Sequence, residues 1–477
     1  MLLTSAFGAR LSAAILIVVS MTWAGLHPAL RAQVTSGQAS PTQAPPSTDS
    51  SPTTPPSGSA AWTAALLGTQ INVIGQDLLP FHSPYASTNS LLATGDARIS
   101  DAYGIYGGVQ AGPHLQGYLD VEMVRGRGIS RVLGLANPTN GDVLRQGTVN
   151  LGYGPYVARA FLRYSIALGG VTTDTLQRAI DQLPGLVSKR RLEITAGKLA
   201  VTDLFDLNRY ANSTRQQFMN WGLFNNTAWD FAADTRGYSN GVALAWIEPL
   251  WTLRVGSFQM PRVANGNTFD GDLQRAHGDQ AELTITAPLT GTVARFSGYD
   301  NHARMGSYAE ALSIAQAKDT VPNIVADDKP GRSKYGWGIN LEQPLADSGE
   351  TGVFARIGWS DGKNESFVFT EADRHLSVGF QVSGAHWGRR DDRFGIAAVQ
   401  TGIVAVHQEY LNAGGLGFLL GDGKLNYGPE QVAETYYRAQ IGPYLQIGPD
   451  IQEIRNPGYN RDRGPATVLS GRVNLRY

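Results

Sequence analysis

The side chains with the most chemical capacity crowd into one stretch of this chain. Gly197-Lys198-Leu199 leads into residues 203–210 (DLFDLNRY), then 217–221 (QFMNW), Asn225-Asn226, Trp229-Asp230 and 234–238 (DTRGY). Carboxylates, amides, an arginine and tryptophans in one segment suit recognition of a hydroxyl-rich neutral solute. Amides and carboxylates bond hydroxyls, and flat aromatic faces accept the apolar face of a sugar ring. The stretch does not alternate and is not low in complexity, so it is expected to be a structured loop. The same groups would equally serve a surface loop that satisfies its own backbone. Residue types alone leave both readings open.

Covalent chemistry has little support. Gly237-Tyr238-Ser239-Asn240-Gly241 matches G-x-S-x-G, but a nucleophile elbow needs a strand, a turn and a helix, and a strand pattern follows Ser239. The 8 histidines are scattered without paired ligand spacing. With 0 cysteines there is no thiolate metal site, cysteine nucleophile or disulfide. No phosphate-binding or dinucleotide fingerprint occurs. The expectation is therefore no catalytic residue, no metal and no cofactor. The balance of 39 basic against 40 acidic residues excludes the basic excess of a nucleic-acid binder.

The elements that must position this loop show a two-residue rhythm. Leu115, Leu119, Val121 and Met123 oppose Gln116, Asp120 and Glu122. Tyr156, Ala158, Ala160, Leu162, Tyr164 and Ile166 oppose Arg159, Arg163 and Ser165. The rhythm returns at 280–287, 334–342 and 375–383. Such segments, ~10 residues long with aromatics near their ends, read as walls of a barrel with lipid outside and water inside. A secreted β-sandwich also alternates, yet its second face is a core, and full charges recur here on the polar face. Short connections at 248–250, 288–291 and 388–392 interleave with long polar ones at 126–154, 199–238, 304–331 and 412–429. The fold expected is an all-β transmembrane antiparallel barrel of roughly sixteen strands, with long loops on one side folding into the pore.

Charged residues are 17% of the chain, below the roughly 25% of soluble proteins. Only the N-terminus carries a long apolar run, so any other crossing of a bilayer must use strands. Arg10, the apolar stretch 11–26 and the small residues up to Ala32 predict a signal peptide over 1–32. Residues 33–62 are rich in Pro, Ser and Thr and predict a disordered periplasmic tether, either a peptidoglycan-side arm or a tail without a partner. The barrel domain is then 63–477. In the closing segment Leu469, Gly471, Val473, Leu475 and Tyr477 alternate with Ser470, Arg472, Asn474 and Arg476. A terminal aromatic in this setting resembles the signal that hands outer-membrane proteins to the barrel-assembly machinery.

The run GKLAVTDLFDLNRYANSTRQQFMNWGLFNNTAWDFAADTRGYSNG, the Trp/Glu-Pro hairpin after it, Gly256 to Pro261 (GSFQMP) and PYLQIGPDIQEIRNP near the end resemble the carbohydrate-selective porin family of Gram-negative outer membranes. The resemblance runs from about Gly68 onward and is densest over 191–262; the Pro-rich stretch lies outside it. It implies passive diffusion of glucose and related monosaccharides into the periplasm through a pore narrowed by inward loops, with sugar solutes and outer-membrane lipid as partners. Asp203, Asp206, Asn208, Asn220, Asn225, Trp229, Asp234 and Arg236 fall on the family motif. By strand parity Arg159, Arg163, Glu193, Arg254, Glu282, Arg356 and Arg472 face the lumen, where opposed charges would set a transverse field favouring dipolar, hydroxyl-rich solutes. Lys198 has the wrong parity and is expected beyond its strand end. Helical spacing of Leu176, Ala179, Ile180 and Leu183 predicts a short helix that packs on the rim or plugs the pore. A general or organic-acid-preferring pore is the alternative within transport. An outer-membrane barrel hydrolase using Ser239 or a carboxylate pair is the alternative outside it.

Overall fold

A chain whose strands are apolar on one side and charged on the other can satisfy its backbone in lipid only by closing the sheet, because an open edge would leave unpaired N–H and C=O groups. The computed structural model, which describes residues 63–143, 151–169 and 172–477, shows this closure. The expected signal peptide and tether lie outside the described residues. No helix among the described residues is long and apolar enough to cross a membrane.

The barrel begins with β1 (Thr63–Leu78), β2 (Asp96–Ala111), β3 (Leu115–Gly126) and β4 (Tyr156–Ala167). Two short strands, β5 (Thr173–Leu176) and β6 (Gly185–Ser188), pair with each other outside the wall. The wall resumes with β7 (Arg191–Leu199), β8 (Ser239–Ile247), β9 (Trp251–Gln259), β10 (His277–Thr286) and β11 (Val293–Met305). It continues through β12 (Lys329–Ala346), β13 (Thr351–Ser360), β14 (Arg374–Ser383) and β15 (Arg393–Gly402). It ends with β16 (Glu430–Ile441), β17 (Leu445–Arg455) and β18 (Ala466–Arg476). Among the described residues sixteen antiparallel strands form the closed wall, and β18 meets β1 in register from Gln70↔Arg476 to Leu78↔Val468.

Burial inverts the usual globular pattern. Leu376 and Val378 are 52% and 56% exposed, while Ser377 between them is 0% exposed. Outward leucine, valine and aromatic side chains meet lipid, and the buried polar set faces the lumen. Two expectations of parity fail locally. The register slips between Asp120 and Val121, so Ala158 turns inward beside Arg159 and Val157 turns out; an extra residue in one strand re-aims its neighbours. Lys198 stays within β7 at outward parity, because its ammonium donates to the Val157 carbonyl at 2.9 Å after Gly197, at φ 136°.

Apart from residues 168–190, a long connection on the short-turn side, the connections obey the short–long alternation, and by that rule the short turns lie on the periplasmic side. Residues 200–238, joining β7 to β8, fold into the lumen from the long-loop side. The loop joining β11 to β12 carries α2 (Tyr308–Lys318), the one joining β15 to β16 carries α3 (Ala405–Asn412), and α1 (Trp221–Phe224) is a single turn within 200–238. The helix expected around Leu176 to Leu183 is absent: this segment is the β5–β6 hairpin with its tip at 177–184. Its apolar residues serve tertiary packing instead of a helix face. Leu183 packs with Leu67 and Tyr118 of the inner wall, and its N–H donates to the Tyr118 hydroxyl at 3.3 Å. The lumen is therefore narrowed from both ends.

Candidate functional site

Loop 200–238 crosses the lumen because wall side chains on four sides seize it. Wall carboxylates accept its backbone N–H groups: Glu282 takes Asp206, Glu342 takes Arg209, and Glu434 takes Met219 and Asn220. Wall arginines do the reverse. Arg356, 0% exposed, donates to the carbonyls of Leu223 at 2.9 Å and Ala211 at 2.8 Å, and pairs with the Asp206 carboxylate at 3.0 Å. Arg472 donates to the carbonyls of Thr214 and Gln217 at 2.6 and 2.7 Å. On the fourth side Arg215 of the loop bonds Asp142 at 2.8 Å and reaches Glu122 of β3 at 3.3 Å. Backbone groups cannot be left unpaired in a lumen this crowded, and the wall supplies partners for those that the loop does not satisfy itself.

Where the loop meets the hairpin tip, charge concentrates around Arg159. Asp203 of the loop chelates its guanidinium at 2.6 and 2.8 Å. Asp120 of β3 lies at 3.3 Å and Asp181 of the hairpin at 3.4 Å. The Tyr238 ring lies 5.2 Å beneath the same guanidinium. Burial pushes the Asp181 carboxyl above the ordinary carboxylate range, with the Arg159 charge opposing it. Arg163 donates to the Asp181 carbonyl at 3.0 Å, packs over the Tyr118 ring and faces Glu193 at 3.7 Å. Glu193 also pairs with Arg191 at 3.4 Å. Asp120 is fully buried, whereas the other charged groups keep partial exposure, with Asp203 the most open at 33%. They form a polar rim of alternating charge, able to exchange hydrogen bonds with hydroxyls that pass.

The residues singled out from sequence separate into two groups. Arg159, Arg163, Glu193 and Asp203 assemble at this rim. Arg254 reaches the Leu204 carbonyl and holds the loop start from β9. Asp206, Asn208, Asn220, Asn225, Trp229 and Asp234 are buried inside the loop. Asn208 bonds the Asn340 amide at 2.7 Å, and Asn220 caps α1 through Gly222 N while bonding Gln452 at 3.0 Å. The Asn225 amide oxygen takes Asn226 N, and Asp234 takes the N–H groups of Arg236 and Tyr238. Trp229 is 6% exposed with its indole N–H on Gln280 at 2.7 Å, so its ring is no open platform for a sugar. Arg236 sits at the long-loop end, 4.0 Å over the Tyr156 ring. Asp120, Asp181 and Arg215 join the site only in the folded structure: Asp120 is on the polar face of β3, Arg215 is inside the motif run, and Asp181 is in the segment whose spacing predicts a helix. Ser239 lies within β8, 0% exposed, and donates to the Gln259 carbonyl at 2.8 Å, so it lacks the turn a nucleophile elbow requires.

The profile of the carbohydrate-selective porin, OprB family matches residues 124–477. No curated protein sequence matches the chain. Among solved structures, the high-pH structure of Pseudomonas putida OprB superposes with a TM-score of 0.61 at 15% identity, covering 86% of this chain and 94% of that one. The outer membrane channel DcaP of Acinetobacter baumannii aligns with a TM-score of 0.47 at 8% identity, covering 88% of this chain and 99% of that one. At such identities the likeness to the P. putida protein is one of fold.

Proposed function

The chain belongs to the carbohydrate-selective porin, OprB family, whose members are channels and not enzymes, and on that premise we propose that it passes monosaccharides such as glucose by passive diffusion. It is an outer-membrane β-barrel protein. The observation that supports a selective pore is loop 200–238, held across the lumen so that the partly open carboxylates of Asp203 and Asp181, from opposite ends, meet at Arg159. A hydroxyl-rich solute sheds water here and replaces it with donors from Arg159 and Arg163 and acceptors from Asp203 and Glu193. Each contact is a single exchangeable bond, so the solute enters and leaves quickly. The buried loop residues Asp206, Asn208, Asn220, Asn225, Trp229 and Asp234 set the aperture without touching solute.

On the same reading, residues 1–32 direct export and 33–62 tether the barrel on its peptidoglycan side. The strand closing on Tyr477 is the segment handed to the assembly machinery. The test of the pore is swelling of liposomes carrying the purified protein. Glucose enters fast and a disaccharide slowly if the loop sets the aperture. Equal rates would make this a general pore, and no flux from folded protein would remove the channel reading.

A further inference from the structure

One wall of the lumen carries like charges in a row. Arg393 of β15 and Arg438 of β16 are direct cross-strand partners. On β17 the corresponding place holds Gly448, whose Cβ would collide with the backbone of Tyr437 and Arg438, and Gly448 is in turn the partner of Arg472 on β18. Directly opposed residues of an antiparallel sheet point to the same side, so the three guanidinium groups share one level of the inner face with a glycine gap between them. Arg476 follows on β18 at the same parity, toward the short-turn end. Like charges placed directly opposite destabilise a sheet, so the row needs something to offset it.

The protein supplies only part of that offset. Arg393 binds Glu350 and the carbonyls of Arg390 and Asp392 at the rim. Arg472 is engaged with loop carbonyls. Arg438 makes one long bond, 3.4 Å to the Gln216 carbonyl, and its buried Nε has no partner among the described residues. The Arg476 side chain has no hydrogen-bond or ion-pair partner among the described residues, while its backbone N–H donates to the Tyr444 carbonyl at 2.9 Å. The carboxylates near this row are already engaged. At the short-turn end Glu350 takes Arg393, and Asp392 takes Arg389, the Tyr437 hydroxyl and the Gln440 N–H. Further in, Glu434 is committed to Met219 and Asn220, and Asp450 lies beside Arg472. The open donors therefore face the vestibule between the constriction loop and the periplasm.

We propose that Arg438 and Arg476, backed by Arg393 and Arg472, form a binding station for one carboxylate or phosphate group on a polyhydroxylated solute. It lies on the periplasmic side of the constriction loop. Planar guanidinium forks match the oxygen geometry of both anions, and a row of them offers several positions at one level. The station rests on the pore reading but uses different residues from the Arg159 rim. It extends the range of solutes from neutral sugars to sugar acids and phosphorylated sugars.

The test is single-channel recording of the full-length protein in planar bilayers, with gluconate and inorganic phosphate as probes. Wild-type protein carries small anions in preference to cations, and at least one probe reduces its conductance; which one does so identifies the headgroup. Arg438→Gln or Arg476→Gln weakens that block by roughly tenfold, the order of one lost charge-assisted hydrogen bond. Arg476→Lys keeps the anion preference while weakening the block, because charge survives and the fork does not. Heat-modifiable migration confirms that each variant is a folded barrel, and Arg476→Gln, at the strand end, secures the test if Arg438→Gln does not fold. An open wild-type channel indifferent to both probes, or folded variants blocked as strongly as wild type, overturns the station alone. A folded protein that never conducts overturns the pore as well.

Discussion

Arg356→Met is the most direct way to ask whether loop 200–238 sets the aperture. The guanidinium is 0% exposed and binds three parts of the loop at once: Asp206, Ala211 and Leu223. Methionine fills much of the same volume but leaves the Asp206 carboxylate, itself 7% exposed, without its counter-charge. Asn340 at 2.7 Å and the Asn226 N–H at 3.2 Å remain to bond that carboxylate, so its loss is one of charge rather than of every partner. Breaking a buried pair by removing one member costs about 3–5 kcal/mol. That raises the population of a released loop by roughly 100- to 4,000-fold. The wall gains no new edge and stays closed. The expected readout is a higher single-channel conductance together with disaccharide swelling rates approaching those of glucose. The double variant Arg356→Met/Asp206→Asn removes both charges and recovers part of the size selection. A folded Arg356→Met barrel with wild-type conductance and intact disaccharide exclusion would refute the reasoning, since the loop would then not depend on this anchor.

Other variants separate rim from buttress. Asp203→Asn removes the chelating carboxylate while Asp120 and Asp181 still hold Arg159. The rim becomes more positive, and the reversal potential in a salt gradient shifts toward the anion value. Trp229→Phe leaves the buried Gln280 oxygen without its indole donor, costing about 1–3 kcal/mol in urea unfolding. Glucose swelling stays at the wild-type rate, and a loss of flux would mean that the indole touches solute after all. Glu365, on the loop joining β13 to β14, accepts Gly306 N–H at 2.9 Å, and burial beside Glu371, Asp328 and Asp230 pushes its carboxyl up to about 7. The folded loop then holds a proton that the unfolded one releases near 4.5, so its stability is full below that pH and falls as pH rises toward about 7. Hydrogen exchange at Gly306 should report faster local opening across that window, and Glu365→Gln should flatten the dependence.

The wall was legible in the sequence because a strand's period of two is local geometry, and two solvents imposed opposite chemistry on its two faces. Leu376, Ser377 and Val378 announce their sides without any tertiary information. The misreadings came where local rules have no purchase. Leu176, Ala179, Ile180 and Leu183 carry helical spacing, yet a hairpin tip that must pack on Leu67 and Tyr118 needs the same apolar residues. Ala158 changed sides because a register slip depends on the neighbouring strand. The dense run over 200–238 was recognisable as a loop with polar work to do, but it has no period that could tell rim from buttress. Asp203 and Asp206 are three residues apart in one motif. One meets Arg159 at an open rim, and the other meets Arg356, 150 residues away, inside the packing. Sequence alone thus determined the barrel, its two faces and its most chemical segment. Which carboxylate meets solute was decided only when closure of β1 on β18 brought distant wall residues around the loop, because burial belongs to the assembled lumen and not to any stretch of chain.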